Sequence, residues 1–192
     1  MRYHPNRRLL GIVVAGVFNG TGVGVVMLAS LGLISSPDSM GGVGGFSPQV
    51  GRPQVGEIAP NFALDSLDGS QVELLSDSRH PILINFWATW CPPCVAEMAT
   101  IQQFYNDSDR AFRVLAVNAD EPAEDVQRFA NEHDLSFDIL LDPGGNVQEL
   151  YRLRGYPTSF FLDGDGVVRK EHVGLLTEGK LREYLIEVGV SQ

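Results

Sequence analysis

Hydrophobic and polar positions divide the chain into four segments. Residues 9–34 form a largely apolar run without charges, and residues 1–8 before it carry three arginines. Residues 35–56 contain 13 glycine, proline or serine residues among 22, a composition typical of a flexible linker. From Glu57 onward, short apolar stretches alternate with polar turns, as in a globular domain. The pattern therefore predicts an N-terminal tail at 1–8, an apolar span at 9–34, a linker at 35–56 and a folded domain at 57–192.

The first half of the domain has the pattern of a hairpin, a central strand and a helix. Short strands at 61–64 and 71–74 flank a turn at Asp68-Gly69, which predicts a β-hairpin. Residues 81–87 are almost continuously apolar, as in a strand that is buried on both faces. Residues 92–105 have helical periodicity. We predict that the inward face of this helix consists of Val95, Met98, Ala99, Gln102 and Tyr105.

The second half continues the alternation of strands and helices. The predicted elements are a strand at 112–117, a helix at 122–132 with Pro122 in first position, a strand at 137–141, a helical turn at 147–151, a hairpin at 158–162 and 167–169, and a helix at 177–188. We expect Thr177 to cap the last helix and Gly189 to end it. This order predicts an α/β fold, with a central sheet that carries helices on both faces.

Charge is distributed unevenly between these segments. Residues 1–56 contain four arginines and one aspartate, whereas residues 57–192 contain 10 lysines and arginines against 23 aspartates and glutamates. So acidic a domain repels phosphate backbones. We therefore expect no nucleic-acid partner.

The apolar run at 9–34 is long enough to cross a membrane. As a helix it would extend about 39 Å, against about 30 Å for a hydrocarbon core. The arginines before it place residues 1–8 in the cytoplasm and the domain outside, by the positive-inside rule. We predict a signal-anchor, a single transmembrane helix in the cell membrane. A cleaved signal peptide is the alternative, because glycines, Asn19 and Thr21 weaken the span.

Cys91 and Cys94 are the only cysteines in the chain. A single pair of cysteines cannot stabilise a domain of this size, so we expect the pair to be present for its reactivity. Cys91 lies where the predicted helix begins, and the free N–H groups and dipole of a helix start favour a thiolate. An exposed Cys91 would attack a disulfide and Cys94, one turn further inside, would resolve the mixed disulfide. Pro92 and Pro93 are tolerated in the first turn, where N–H groups have no helical partner.

Three alternative roles for the cysteine pair fit the sequence less well. Attachment of c-type haem requires a histidine directly after the second cysteine, and Val95 stands there. A structural zinc site requires four ligands, and no further cysteine or nearby histidine supplies them. A purely structural disulfide would close too short a loop to restrict the unfolded chain. We predict a redox-active disulfide that works without a metal or a cofactor.

The stretch Phe86-Trp87-Ala88-Thr89-Trp90-Cys91-Pro92-Pro93-Cys94 resembles the active site of the thioredoxin superfamily. Residues 57–190 resemble its membrane-tethered extracytoplasmic branch, the TlpA/ResA-like thiol–disulfide oxidoreductases, including the leading hairpin and an insert at 120–141. The resemblance implies a thioredoxin-like fold and a reductant of protein disulfides, such as that of apocytochrome c in cytochrome c biogenesis. It also implies a membrane thiol transporter as the electron donor.

The resemblance further implies a docking edge for the substrate. In Gly155-Tyr156-Pro157-Thr158 the family places a cis-proline that faces the disulfide. Tyr156, Pro157 and Thr158 would then form a docking site, in which a cis Pro157 presents the Tyr156 backbone for hydrogen bonds to an extended peptide. We expect Trp90 to shield the disulfide and to contact partners.

A proton acceptor is the last residue that the resemblance implies. Glu97 follows Cys94 by three residues, and the family's matching glutamate is buried beside the cysteines. Such a carboxyl could take the Cys94 proton if burial raises its pKa. The sequence alone favours the alternative, an ordinary exposed helix glutamate, and only the resemblance makes a buried Glu97 an equal interpretation. Asn85 stands where cytoplasmic thioredoxin has a buried aspartate, which shifts proton transfer to Glu97 or to water.

Other functions share these features. A disulfide oxidase or isomerase would use the same fold and the same two cysteines. A thiol peroxidase is a further alternative because the leading hairpin also resembles peroxiredoxin-like domains, although Ala88 stands where that site needs threonine or serine. A non-enzymatic binding module would use the cysteines only to sense oxidation.

Overall fold

The computed structural model describes residues 52–76 and 79–190. The predicted segments 1–8 and 9–34, and the linker up to residue 51, lie outside the described residues. Among those described, no helix combines the length and the apolar character needed to cross a membrane.

The described residues contain the predicted succession of strands and helices. In chain order they are β1 (Ala63–Ser66), β2 (Gln71–Glu73), β3 (Ile82–Trp87), α1 (Pro92–Asp107), β4 (Arg113–Asn118), α2 (Ala123–Glu132), β5 (Asp138–Leu141), α3 (Asn146–Leu150), β6 (Thr158–Leu162), β7 (Val168–Val173) and α4 (Glu178–Glu187). The largest difference from prediction is β7, which extends to Val173 rather than ending at Arg169.

The strands form one mixed sheet in the order β2-β1-β5-β4-β3-β6-β7. The pairs β3–β4 and β4–β5 are parallel, and β6 and β7 continue the sheet as an antiparallel hairpin. The leading hairpin β1–β2 joins the other side through an antiparallel pairing of β1 with β5. The predicted α/β fold with an N-terminal hairpin and a central insert is confirmed.

Strand β3 separates two hydrophobic clusters. All six of its residues are buried, as predicted for a central strand. Leu83 and Trp87 point into the cluster formed with α1, α2 and α4. Phe86 points to the opposite face, where it packs with Tyr151 after α3. Because β3 is fixed on both faces, the loop that leaves its C-terminal end starts from a rigid position.

The predicted inward face of α1 is wrong in part. Ala99 is exposed, and Val95 and Tyr105 are only half-buried. The residues that are buried are Cys94, Glu97, Met98, Ile101, Gln102 and Phe104. The predicted face is rotated from the buried one: it shares Met98 and Gln102 with it but leaves out Cys94 and Glu97 as well as the apolar Ile101 and Phe104.

Residues 52–56, which the sequence assigned to the linker, pack on the domain. Arg52 forms an ion pair with Glu171 in β7. The Gly56 N–H donates to the Val168 carbonyl at 2.8 Å. The packed part of the chain thus includes residues before Glu57.

Two helix ends differ in detail from prediction. Helix α2 begins at Ala123 with Pro122 as its N-cap, one residue later than expected. Thr177 occupies the N-cap of α4, but its side chain makes no capping hydrogen bond. Gly189 ends α4 as predicted, with a φ of +97° that glycine adopts without a steric penalty.

Candidate active site

Cys91 and Cys94 form a disulfide at the point where the chain passes from β3 into α1, with their Cα atoms 5.2 Å apart. Cys91 is the N-cap of α1, in an extended conformation, and its Sγ accepts a hydrogen bond from the Cys94 N–H at 3.3 Å. A helix N–H directed at this sulfur would stabilise a Cys91 thiolate in the reduced protein. Pro92 and Pro93 follow as the first two helical residues.

The two cysteines differ in their access to solvent. Cys91 is 4% exposed, whereas Cys94 is 0% exposed. The order is the predicted one, but Cys91 is far less open than the predicted exposed nucleophile. An external disulfide can therefore reach only Cys91, and only through a narrow opening.

Trp90 and Tyr156 form the accessible part of the predicted docking edge. Trp90 is 63% exposed, and its ring meets the Tyr156 ring edge to face, with centroids 5.8 Å apart. The Tyr156–Pro157 peptide bond is cis. Thr158 was expected to contribute to docking, but it is buried and its hydroxyl donates to the Gly155 carbonyl at 2.8 Å. We assign its side chain to holding the turn rather than to contacting substrate.

Further apolar side chains are exposed on the segment beside Pro157. Val173 is paired with Thr158 across β6 and β7 and is 53% exposed, and Leu175 is 45% exposed. The Gly174 N–H between them donates to the Pro157 carbonyl at 2.8 Å. We call Trp90, Tyr156, Val173 and Leu175 the apolar rim.

Glu97 is buried, with 1% of its surface exposed, so the exposed alternative is wrong. The Asn85 Nδ2 donates to its Oε1 at 2.8 Å, and the Leu176 N–H donates to its Oε2 at 2.6 Å. Burial raises the pKa of Glu97 to about 7, although both hydrogen bonds act to lower it. Since Glu97 lies one turn after Cys94 on α1, the two side chains share a face of that helix.

Asn85 anchors this carboxyl to the sheet. It is fully buried, it pairs with Ser159 in the β3–β6 register, and its Nδ2 also donates to the Ser159 Oγ at 3.0 Å. Its Oδ1 has no partner among the described residues. An amide here can hold Glu97, but it cannot exchange protons with Cys94, as the predicted departure from thioredoxin already indicated.

Sequence reasoning missed Glu121. Its carboxylate accepts hydrogen bonds from the Thr89 N–H at 2.8 Å, from the Thr89 hydroxyl, and from the Asn118 Nδ2 at 2.7 Å. Thr89 follows β3 and Glu121 follows β4, and these strands are parallel neighbours. The carboxyl ends of parallel strands meet at one edge of a sheet, where sites form. Polar residues directly after both strands were therefore a signal that could have been used.

Residues 55–171 match the family described as AhpC/TSA. This span covers more than half of the chain and includes both cysteines, Glu97, Glu121 and the turn before β6. The chain belongs to the AhpC/TSA family. Within this AhpC/TSA protein, the matched span extends from the residues packed before β1 to β7.

Two relatives of this AhpC/TSA protein indicate its activity. It is 38% identical over 133 residues to the thiol-disulfide oxidoreductase ResA of Halalkalibacterium halodurans, which covers 69% of this chain and 76% of the relative. It is 36% identical over 135 residues to the thioredoxin-like protein YneN of Bacillus subtilis, which covers 69% of this chain and 79% of the relative. The predicted ResA-like resemblance is confirmed.

Solved structures lead to the same conclusion. The AhpC/TSA protein resembles a Chlorobium tepidum protein described as a thiol:disulfide interchange protein DsbE, with a TM-score of 0.63, 33% identity and coverage of 71% of this chain and 98% of the other. It also resembles StoA of Bacillus subtilis, with a TM-score of 0.58, 27% identity and coverage of 67% and 98%. The protein has a thioredoxin-like fold, and it is a thiol–disulfide oxidoreductase.

Proposed function

We propose that this enzyme is a membrane-anchored, extracytoplasmic reductant of protein disulfides, such as that of apocytochrome c before haem attachment. A membrane thiol transporter would return it to the dithiol state. The observation that carries the proposal is the buried Glu97 carboxyl, one helical turn after Cys94, with a pKa raised by burial to about 7.

The reductive cycle begins at Cys91. Its thiolate attacks one sulfur of the substrate disulfide, which forms a mixed disulfide and releases the other substrate sulfur as a thiolate that takes a proton from solvent. Cys94 then loses its proton and attacks the Cys91 Sγ, which expels the second substrate sulfur. The two electrons of the dithiol end in the substrate, and Cys91–Cys94 is left as the disulfide.

Glu97 supplies the proton acceptor that the second step needs. Cys94 is completely buried, so its thiol cannot release a proton directly to solvent. A carboxyl with a pKa of about 7 is partly ionised at neutral pH and can accept that proton and later return it. When the transporter reduces the disulfide again, the same carboxyl would protonate the departing Cys94 thiolate.

The apolar rim supports docking of an unfolded peptide. Its exposed side chains are Trp90, which precedes Cys91, and Val173 and Leu175 on the segment beside Pro157, as expected of a surface that binds protein. Among the described residues no hydrogen bond engages the backbone of Tyr156, which leaves it free to pair with an extended substrate. A groove of about 760 Å³ is lined by Tyr156, Leu150 and Leu153 among others.

The proposed location rests on the N-terminal sequence. The apolar run at 9–34 and the arginines before it favour an anchor with the domain outside the cytoplasm. Disulfides persist in that compartment, so a reductant there must be resupplied with electrons. A membrane thiol transporter meets this need.

The direction of electron flow can be tested on the full-length protein in detergent. The protein is equilibrated in defined thiol–disulfide buffers, and free Cys91 and Cys94 are counted by alkylation. We expect a potential near the thioredoxin value of about −270 mV, rather than near the oxidant value of about −120 mV. We also expect the reduced protein to reduce a disulfide in an apocytochrome peptide of the form Cys-x-x-Cys-His.

Different results would point to the alternative functions. A potential near about −120 mV with net oxidation of the peptide would identify an oxidase. Reactivation of a scrambled protein without net reduction would identify an isomerase, and hydroperoxide consumption would identify a peroxidase. Failure to reduce any disulfide, even with a strong electron donor, would leave only the binding module.

The role of Glu97 has its own test. In Glu97→Gln, the step in which Cys94 resolves the mixed disulfide should slow by about a hundredfold, because loss of a general base typically has an effect of this size or greater. Stopped-flow measurement of single turnovers from pH 5 to 9 separates this step from the attack by Cys91. A resolution rate with the same pH dependence in both proteins would remove Glu97 from the mechanism.

A further inference from the structure

We propose that Glu121 is a positioning residue for the Cys91 nucleophile. It lies in the loop after β4, outside the redox motif, and holds the Ala88–Cys91 loop in the conformation that makes Cys91 the N-cap of α1. This inference rests on the proposed role of Cys91 as the attacking thiolate. It makes the insert that begins at Asp120 a working part of the active site.

The Glu121 carboxylate accepts two hydrogen bonds from a single residue of the active-site loop. It accepts from the Thr89 N–H at 2.8 Å and from the Thr89 hydroxyl. Two bonds to the backbone and the side chain of the same residue fix its orientation as well as its position. Bonds to a charged acceptor are also stronger than neutral ones.

The carboxylate is itself held by rigid parts of the fold. The buried Asn118, the last residue of β4, donates its Nδ2 to the Glu121 Oε2 at 2.7 Å, and its Oδ1 accepts from the Glu121 N–H at 3.2 Å. Asp120, which precedes Glu121, accepts from the Gly144 N–H at 2.8 Å. Thr89 is thus attached to β4 and to the β5–α3 turn rather than to a free side chain.

The position of Thr89 is transmitted directly to the nucleophile. The loop between them is short, and the Cys91 N–H closes it by donating to the Ala88 carbonyl at 3.2 Å. A rotation at Thr89 would therefore turn Cys91 out of the extended N-cap conformation. The Cys94 N–H would then no longer point at the Cys91 Sγ, which it meets at 3.3 Å.

The test uses the full-length protein with Cys94→Ser in every variant, so that Cys91 is the only thiol. The rate of alkylation by iodoacetamide is measured against pH, which gives the Cys91 pKa and the reactivity of its thiolate. In Glu121→Gln, the amide oxygen can still accept from the Thr89 N–H and the Asn118 amide, but the charge that strengthens these hydrogen bonds is lost, and the amide nitrogen can only donate to the Thr89 hydroxyl. We expect alkylation at pH 7 to fall about tenfold, as for loss of one charge-assisted hydrogen bond, with a raised Cys91 pKa.

Thr89→Val tests whether Glu121 acts on Cys91 through its hydrogen bonds to Thr89 or only through its negative charge. It keeps the Glu121 carboxylate but removes the hydroxyl bond, and we expect it to change the Cys91 pKa in the same direction as Glu121→Gln. Thr89→Ser keeps the hydroxyl and should restore the wild-type rate. If Glu121 acted only as a nearby negative charge, Glu121→Gln would instead lower the Cys91 pKa and Thr89→Val would change nothing, and that result would overturn the proposal.

Glu124→Gln is the matched control. Glu124 is an exposed residue in the first turn of α2, three positions after Glu121, so its substitution removes the same charge without touching Thr89. We expect its alkylation rate to stay within about twofold of the parent, an effect typical of exposed charges. A similar fall in the alkylation rate of Glu124→Gln and Glu121→Gln would also overturn the proposal that Glu121 positions Cys91.

The alkylation test distinguishes a wrong role for Glu121 from a wrong assignment of the protein's function. Alkylation by a small reagent needs no protein substrate, so it reports on the Cys91 site even if the substrate is misassigned. Equal alkylation in all variants, with the wild-type protein reducing the apocytochrome peptide, would refute positioning alone. A wild-type protein that reduces no disulfide would refute the proposed function and leave the alkylation comparison valid.

Discussion

At the scale of single residues, Glu97 shows two opposing effects on one carboxyl. Hydrogen bonds from Asn85 and Leu176 favour the ionised form, whereas burial favours the neutral form. Burial dominates, because the pKa of Glu97 lies above that of an ordinary glutamate, at about 7. A buried carboxyl at this position costs stability at neutral pH, which is typical of residues kept for function.

The same pKa predicts how stability depends on pH. The folded protein binds the Glu97 proton more tightly than the unfolded chain, since burial raises the pKa from 4.5 to about 7. The free energy of unfolding should therefore decrease as the pH rises through this window, by at most about 3 kcal/mol from this residue. In Glu97→Gln that decrease should be absent. Urea unfolding of the oxidised proteins between pH 4.5 and 8 measures the difference.

Two comparisons make this prediction specific to Glu97. Burial also raises the pKa of Asp138, but this contribution is the same in both proteins and cancels. The exposed Glu132 provides a control, because Glu132→Gln should leave the pH dependence parallel to that of the wild type. If the free energy of unfolding of Glu97→Gln had the same pH dependence as that of the wild type, Glu97 would titrate normally. It could then not serve as the proposed proton acceptor.

At the scale of elements, the sequence predicted a strand or a helix end correctly wherever the residues of that element alone carry the signal. The continuous apolar run of β3 predicted a central strand, and Gly189 predicted the end of α4. The inward face of α1 was wrong in part: the predicted stripe left out the apolar Ile101 and Phe104, and it left out Glu97, which faces inward against its intrinsic polarity. Periodicity cannot detect a polar residue whose partners lie on other elements.

The network around the disulfide depends on contacts between distant parts of the chain. Asn85 meets Ser159 only because β6 pairs with β3 in a particular register. Thr89 meets Glu121 only because β4 lies parallel to β3. The spacing of the cysteines is a local signal in the sequence, whereas the roles of Pro157 and Glu97 were implied by the family resemblance, and the sequence contains no local signal for strand register.

Helix α3 gives a prediction at this scale. It has only five residues, and Asp142 before it accepts from the Val147 N–H at 3.1 Å, the Gln148 N–H at 3.0 Å and the Gln148 Nε2 at 3.2 Å. Asp142 is 1% exposed, so Asp142→Ala would leave buried donors without an acceptor. We expect a loss of about 2 kcal/mol in the free energy of unfolding, measured with urea.

Asp142→Asn is the matched comparison. Asparagine keeps the shape of aspartate and one acceptor oxygen. Asp142→Asn should therefore lower the free energy of unfolding by clearly less than Asp142→Ala. Because α3 lines the groove beside Tyr156, Asp142→Ala should also raise the KM for a peptide disulfide. An unfolding free energy within about 0.5 kcal/mol of the wild type, the range of ordinary surface substitutions, would show that α3 does not need the hydrogen bonds to Asp142.

At the scale of the whole molecule, the proposed function requires the domain to reach two partners. The proposed substrate approaches the apolar rim, and the proposed transporter must reach the same narrow opening to Cys91 after each turnover. Residues 52–56 pack on the domain, so a linker of the composition of residues 35–51 would span roughly 20–25 Å and allow rotation. Attachment to the membrane would then keep the domain near the transporter without fixing its orientation.

The last prediction concerns this attachment. The full-length protein, expressed in cells, should keep Met1 and remain in the membrane pellet after carbonate extraction. Replacing Val17 and Val25 by arginine should release it from the pellet, because each charge at the centre of a span costs about 2.5–3.5 kcal/mol. Replacing Val43 and Val50 by arginine adds the same charge in the predicted linker and should leave the protein in the membrane. Whole cells treated with a membrane-impermeant maleimide should label reduced Cys91, which an extracytoplasmic domain exposes and a cytoplasmic one does not. A soluble protein whose mass lacks the N-terminal segment would instead establish a cleaved signal peptide, and the reductant would then have to meet its transporter by diffusion.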